Sequence, residues 1–446
     1  MRVVSVIANT LAAGFKPVFG IYPWFIIKIQ VSYQLHLAYA KGQMPDLSSR
    51  KLKYTRPFVS KKIALNTTMK LLVAAMKLCK THLRAKLSNV EMIAVGFSEQ
   101  NKVLNGENYN KYLHPHINET LSKTTFLYYV DGVNITSPEI RYLKQLVAVY
   151  TMYYKLRLSI SPNVSRLLKN YGNQLNTVLT NELKQPINGL EQFVAEQIVE
   201  YKVHYKAYKF WLKKMQPTSV LGYCYYNNKI NAMLGAANSL GIKAVECQHS
   251  AISNNHFAYA KWEYADKLIT HFPSHFYVWS EVDKQLVETN FSANSYSPLT
   301  EVKGMKHLSQ QKLNKTQNAS QHILICLQGI WMPEWLETFI REDDNYQWFV
   351  RLHPRYPNDK EQLEGLDQLE KINVHTKTAN TQSLEYLLRR SKALITCFSG
   401  AALEAKALGV KVLIYGEEGK TTYQEYIANG QFSYIENKTS FETSIS

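Results

Sequence analysis

The chain carries only five cysteines in 446 residues, Cys79, Cys224, Cys247, Cys326 and Cys397, and no two share a CxxC spacing. A scattered, odd set excludes a disulfide framework, argues against a structural zinc site, and reads as buried reduced thiols of a cytosolic protein. Three catalytic signatures are also missing: there is no GxxxxGK[ST] phosphate loop, no GxSxG elbow and no HExxH pair. Acidic residues are nearly absent from one end. Residues 1–90 hold 15 Lys/Arg against Asp46 alone, so they carry +14 of the net +17, and the remainder is close to neutral. Charge of one sign at one end points to a docking face rather than to nucleic acid. No apolar run near the start reaches the ~20 residues of a spanning helix; PVFGIYPWFII is about half that. This segment reads as membrane-associated or buried, with a cleaved signal over VVSVIANTLAA as the alternative.

What is present fits a folded protein, with 46% hydrophobic and 20% charged residues and a length suited to two domains. Residues 60–87 predict a long helix. Leu65, Met69, Leu72, Met76, Cys79, Leu83 and Leu87 fall on one apolar stripe. Lys70, Lys77 and Arg84 share a second, basic face, which is either the solvated side of a core helix or a face for anionic lipid. VEMIAVGF and TTFLYYVDG read as buried strands. From 138 to 214 the pattern is helical, with loops near SPNVS and KQPINGL and a core stripe of Tyr201, Tyr205, Tyr208 and Trp211/Leu212.

From Ser219 onward strands alternate with helices of 8–14 residues. SVLGYCYY, IKAVECQ, HFYVWS, SPLTEVKGM, HILICLQG, QWFVRLHP, KINVHT, KALITCF and VKVLIYG are the strands. That rhythm indicates βαβ units on parallel sheets covered on both faces. The expected fold class is α/β, with two doubly wound Rossmann-type domains. A basic, partly helical extension spans 1–87. The first α/β domain covers 88–265 with the helical insert 138–214, and the second covers 266–446.

Open α/β sheets bind ligands beyond the carboxyl ends of their strands. In the second domain those positions hold Gln328 and Gly329, then Arg351, His353 and Arg355, then Ser399 and Gly400. Ser399-Gly400 opens a helix, so backbone N–H groups and the helix dipole offer an anion site, with Glu404 a turn further in for a ribose diol. An ordinary Ser cap with a solvated Glu is the alternative. Arg351, His353 and Arg355 suit phosphate oxygens, although His-Pro pairs are also common in turns. Asp343-Asp344 reads as a solvated turn. In the first domain IKAVEC delivers Gln248 and His249 at a strand end, with His256 seven residues on. Those two histidines have no third ligand, so no metal site is expected. Asp131, closing TTFLYYVDG, is a second acid–base candidate beside His249.

RLHP, FSGAALEAKALG and KVLIYG, together with FYVWSEVDKQLVE…EVKGM and QHS…HFAY, resemble the GT-B-type glycosyltransferases of bacterial surface polysaccharide (capsule and O-antigen) assembly. They are similar also to sialyl-, Kdo- and CDP-glycerol-transferase-like enzymes. The resemblance covers roughly residues 218–435. It implies a nucleotide-sugar donor as substrate, no cofactor, and no obligatory metal. His353 and Ser399 would meet donor phosphates, Glu404 the ribose, and Gln328 and Gly329 the donor loop. His249 or Asp131 would act as base, with Gln248 and His256 on the acceptor side. A lipid-linked or oligosaccharide acceptor, no nucleic acid, and a cytoplasmic enzyme held at the inner membrane surface through Lys70, Lys77 and Arg84 complete the expectation. The sequence departs from the resemblance at Ser250, where Gly is usual, and at Ser399-Gly400, where a Ser/Thr pair is usual. A UDP-sugar 2-epimerase-like enzyme and a non-catalytic membrane adaptor are the alternatives.

Overall fold

The computed structural model of the chain describes residues 24–39, 46–48, 53–55, 64–84, 87, 89–104, 107–119, 125–132, 137–256, 258–260, 272–291, 297–309, 321–353, 360, 364–366 and 373–445. Two compact units emerge. One is Met1–His249 with Phe257–Tyr277 and Val287–Glu301; the other is Ser250–His256 with Val278–Leu286 and Val302–Ser446.

In the first unit the strands are β1 (Met92–Gly96), the pair β2 (Asn101–Leu104) and β3 (Glu107–Asn110), β4 (Thr125–Tyr129), β5 (Ser219–Gly222), β6 (Lys243–Cys247), β7 (His275–Val278) and β8 (Leu299–Val302). Six form one sheet in the order β4-β1-β5-β6-β7-β8, with β4, β1, β5, β6 and β7 paired in parallel. Every residue of β1 is buried, as expected of a parallel strand covered on both faces. The antiparallel β2–β3 pair was not anticipated, because its strands lack an apolar alternation.

The 138–214 region is three helices, Pro138–Ile160, Pro162–Leu183 and Leu190–Met215. Only Ser161 separates the first two, so the loop expected at SPNVS is a single residue with Pro162 at the first helical position. Tyr201, Tyr205, Tyr208, Trp211 and Leu212 are buried, and Trp211 packs on Phe126 and Tyr128 of β4, so the aromatic stripe is core. The basic extension contributes to the same core. Val31, Leu35, Leu47 and Tyr54 join the insert's apolar cluster. The buried Glu196 carboxylate accepts the backbone N–H groups of Lys53, Tyr54 and Thr55 at 2.5, 2.8 and 2.7 Å, which fixes the extension on the Leu190–Met215 helix.

The predicted long helix is present as Ala64–Arg84, but the middle of its apolar stripe is not core. Met69, Leu72, Val73 and Met76 are 42–63% exposed, and Cys79 is exposed rather than buried. The helix packs on Pro138–Ile160, and Thr67, Leu71, Ala74 and Leu78 form its more buried side. Thr67 and Ala74 are short enough for close helix approach, which the bulkier Met69 and Met76 do not allow. Among the described residues no helix is long and apolar enough to cross a membrane.

The second unit is a five-stranded, wholly parallel sheet of β9 (His322–Cys326), β10 (Gln347–Arg351), β11 (Ala393–Thr396), β12 (Lys411–Ile414) and β13 (Ser433–Tyr434), in the order β10-β9-β11-β12-β13. Ile323, Ile325, Trp348, Val350, Ile395 and Leu413 form the middle of its core. KINVHT, expected as a strand, makes a single bridge from Val374 to Trp348. Asp343 is buried rather than solvated. It accepts Trp348 Nε1–H and Tyr346 N–H at 3.0 Å each, which ties the turn to the sheet edge. The chain therefore holds two parallel α/β sheets of Rossmann type. In each, the chain places one strand to one side of the first and then crosses to the other: β4 and β5 flank β1, and β10 and β11 flank β9. Such reversals open a crevice at the carboxyl ends of the strands.

Candidate functional site

In the first unit the reversal lies between β1 and β5. Gly96 closes β1, and a Cβ there would fall 2.4 Å from the Tyr223 ring. Only glycine lets that ring cross the strand end. The Tyr223 hydroxyl accepts Phe97 N–H at 2.7 Å and donates to Phe97 O at 3.1 Å, stapling the two strand ends together. Cys224 follows with φ +65°, a left-handed backbone rare for a side chain of this kind and the sort of strain found at binding sites.

Glu246, the fourth residue of β6, supports that turn. It lies level with Gly222 of β5, is fully buried, and accepts Cys224 N–H at 2.9 Å, Tyr225 N–H at 3.0 Å and the Tyr259 hydroxyl at 3.4 Å. Three residues on, the His249 ring stands over the same turn. Its Nδ1 lies 3.7 Å from a Glu246 oxygen and 3.3 Å from Cys224 N, and its Nε2 is 2.9 Å from the Tyr226 hydroxyl. Tyr112, Tyr223 and Tyr226 surround the imidazole at ring-centroid distances of 5.9, 5.6 and 5.5 Å. A carboxyl, an imidazole and a phenol thus stand in line at a switch point, an arrangement suited to holding and passing a proton.

Burial pushes the Glu246 carboxyl well above the ordinary carboxylate value, against the pull of its Tyr225, Cys224 and Tyr259 donors. The folded chain therefore binds this proton more tightly than the unfolded chain does. The associated stability is complete below the ordinary value of 4.5 and is lost as pH rises through the folded value. Glu246→Gln keeps an acceptor oxygen and cannot ionise. Denaturant unfolding across a pH series should show the wild type losing stability relative to Glu246→Gln as pH rises; a difference that stays flat with pH refutes the assignment.

Asp131 sits elsewhere on this edge. Its Oδ2 accepts Ser98 N–H at 2.7 Å and the Ser98 hydroxyl at 2.6 Å, since Gly96 and Tyr129 are in register. Asp131 and His249 follow β4 and β6, three strand positions apart, or roughly 14 Å along the sheet. They are separate candidates, not partners. Gln248 is buried, its N–H donating to Tyr277 O at 2.8 Å. His256 belongs to the second unit, where its N–H closes a turn onto Ser253 O at 3.1 Å.

In the second unit the reversal lies between β9 and β11. Cys326 is level with Arg351 on one side and Thr396 on the other. Gln328, His353 and Phe398 therefore emerge level, two residues beyond, with Ser399 next. Gln328 Oε1 is buried and has no hydrogen-bond partner, an unmet acceptor at a strand end. Gly329 has φ +76°, which glycine adopts without strain. His353 is half-buried at the end of β10.

Ser399 Oγ accepts Ala401 N–H at 3.3 Å, and its carbonyl accepts the Tyr423 hydroxyl at 2.5 Å. Gly400, not Ser399, occupies the cap of the Ala401–Ala407 helix. The Arg351 guanidinium is turned to the Ala379 and Gln382 carbonyls at 2.6 and 2.7 Å, where it braces the Thr376–Thr381 helix. Burial pushes the Cys326 thiol up to about 12, with Arg351 pulling it down and Glu404 pushing it further up, so both charges act at this strand end. Glu418 follows Gly416 and Glu417 past β12, and Gly419 is required there because a Cβ would meet Cys397 O at 2.5 Å. Arg355 lies outside the described residues.

Glu246 and Tyr226 are the residues that sequence reasoning missed. A lone carboxylate inside the otherwise apolar IKAVEC strand was the available signal, because a buried charge persists only where it is hydrogen-bonded. Among the described residues no group of three or more His, Cys, Asp and Glu is placed to hold a metal.

No family model matches the sequence, and no curated protein is similar to it in sequence. Solved structures similar to the chain include a UDP-GlcNAc 2-epimerase from Methanocaldococcus jannaschii, 14% identical, with TM-score 0.44, covering 79% of this chain and 91% of that one. Another is the UDP-GlcNAc 2-epimerase from Neisseria meningitidis bound to UDP-GlcNAc, 18% identical, with TM-score 0.44 and coverage of 79% and 88%. A third is an α,α-trehalose-phosphate synthase (UDP-forming) from Burkholderia xenovorans, 10% identical, with TM-score 0.34 and coverage of 62% and 75%.

Proposed function

We propose that the chain is a nucleotide-sugar-dependent glycosyltransferase of GT-B type that passes a sugar to a lipid-linked or growing glycan acceptor in bacterial surface polysaccharide synthesis. The observation that supports this most is the placement of polar groups at both switch points: Gln328, His353, Ser399 and Glu404 in the second unit, and Glu246, His249 and Tyr226 in the first. The second unit takes the donor. His353, Arg355, the Ser399 hydroxyl and Gly400 N–H carry the charge that grows on the leaving diphosphate or monophosphate. Gln328 and Gly329 lie against the donor, and Glu404 accepts the ribose hydroxyls. Arg351 acts by holding this strand end in place.

In the first unit His249, with the Tyr226 hydroxyl at its Nε2, handles the acceptor-hydroxyl proton, and Glu246 holds the turn on which the ring stands. Asp131 is the competing base. Gln248 borders the acceptor, and neither a metal nor a cofactor takes part. The enzyme works in the cytoplasm at the inner membrane face, and nucleic acid is not a partner.

A second reading, a UDP-sugar 2-epimerase-like enzyme, is supported by the same proton-handling cluster, which can serve a sugar C–H as well as a hydroxyl. Thermal denaturation with UDP-, CMP- and GDP-linked sugars, followed by donor turnover with and without a glycan acceptor, separates the readings. Stabilisation by one nucleotide class and turnover only with acceptor is the expected result. Turnover without acceptor selects the epimerase, and no stabilisation by any nucleotide selects a non-catalytic adaptor.

A further inference from the structure

The outward face of the Ala64–Arg84 helix is built to lie on a surface. Successive side chains of a helix turn by about 100°, so Met69, Leu72, Val73 and Met76 form one stripe. That stripe lies opposite Thr67, Leu71, Ala74 and Leu78, the more buried side of the helix, and its Met69 and Val73 edge reaches toward the Pro138–Ile160 helix. All four stripe residues are more than 40% exposed. Lys70 and Lys77, both exposed, run along one edge of it. Between the two helices Met69, Val73, Ala74, Gln145 and Ala148 line a shallow groove of 390 Å³ with Lys70 and Lys77 at its rim. Arg141 and Lys144, exposed and one turn before Gln145 and Ala148, add two further cations on the far side. Neither helix offers a counter-charge here: the first contains no Asp or Glu, and Glu139 of the second is buried.

We propose that this two-helix face docks on an anionic bilayer surface, with Met69, Leu72, Val73 and Met76 entering the acyl boundary and Lys70, Lys77, Arg141 and Lys144 at the phosphates. An apolar stripe bordered by cations and free of carboxylates is complementary to such a surface. The proposal rests on the membrane-facing reading above but reverses its geometry. The sequence put the apolar stripe in the core and the lysines alone on the lipid, whereas here both sides of the helix chemistry meet the lipid together.

The test uses the full chain with extruded vesicles of phosphatidylcholine alone or of equal parts phosphatidylcholine and phosphatidylglycerol, scored by co-sedimentation. The wild type should bind only the anionic vesicles. Each near-surface cation contributes about fivefold, so Lys70→Gln with Lys77→Gln should weaken partitioning roughly 30-fold. Leu72→Glu with Met76→Glu should weaken it at least about tenfold even though the cations remain. Both pairs are exposed, and thermal stabilisation by nucleotide reports that each variant is folded and that the donor reading stands independently. Wild type that ignores anionic vesicles overturns the proposal, as does undiminished binding by the Leu72→Glu/Met76→Glu protein. A wild-type dimer that this variant dissociates, with vesicle binding unchanged, assigns the face to a second copy instead.

Discussion

Replacing His249 by alanine should lower kcat by about 10²–10⁴-fold, the range for loss of a positioned acid–base group, while nucleotide-induced stabilisation stays near wild type. The ring follows β6 in the first unit. It is held by Tyr226 through Nε2, by Cys224 N–H at Nδ1 and by three tyrosine rings. Tyr226→Phe removes one hydroxyl and leaves the ring packing, so it should cost less than His249→Ala if the phenol orients the imidazole, and as much if the proton travels through it. Asp131→Asn is the matching control. Its carboxylate lies roughly 14 Å along the sheet and already accepts two hydrogen bonds from Ser98, so kcat should fall only a few-fold. A His249→Ala enzyme within threefold of wild type, beside an Asp131→Asn enzyme that is nearly dead, would falsify the assignment of the base.

The parts of this picture legible in the sequence are those set by periodicity. Buried parallel strands such as ALIT and HILIC read as unbroken apolar runs, and the residues after them occupy strand ends by construction. That periodicity puts Gln328, His353, Ser399 and His249 just past strand ends. It failed where a side chain's environment depends on distant chain. Met69 and Met76 share a helical stripe with the period of a core face, yet the smaller Thr67 and Ala74 lie on the more buried side of the helix. Glu246 looked like a stray charge because its donors, Cys224 N–H, Tyr225 N–H and the Tyr259 hydroxyl, come from the turn after another strand and from a later loop. Arg351 sat in the right place for phosphate, but the carbonyls of Ala379 and Gln382, some 30 positions later, take its guanidinium. The β2–β3 hairpin had its cue in Asn105-Gly106, a strong turn dipeptide, and was passed over because the flanks are polar.

His353→Ala should cut turnover by about 10²–10³-fold, the usual cost of removing one donor aimed at developing charge, with the unfolding midpoint little changed. Register carries the argument. Arg351, Cys326 and Thr396 are level across β10, β9 and β11, so His353, Gln328 and the Phe398-Ser399 turn leave the sheet as one row. Two strand spacings, roughly 10 Å, separate the outer members, a span that a diphosphate with its flanking sugar and ribose can bridge. In the proposed donor site the histidine at one end and the Ser399 hydroxyl with Gly400 N–H at the other would hold opposite ends of the same anion. If charge stabilisation grows toward the transition state, kcat falls more than nucleotide affinity does. His353→Gln, which retains a neutral hydrogen-bond donor, should recover part of the loss. Equal damage to nucleotide binding and kcat would instead mean that His353 grips the ground-state donor. Wild-type turnover in His353→Ala would remove the second switch point from the donor site altogether.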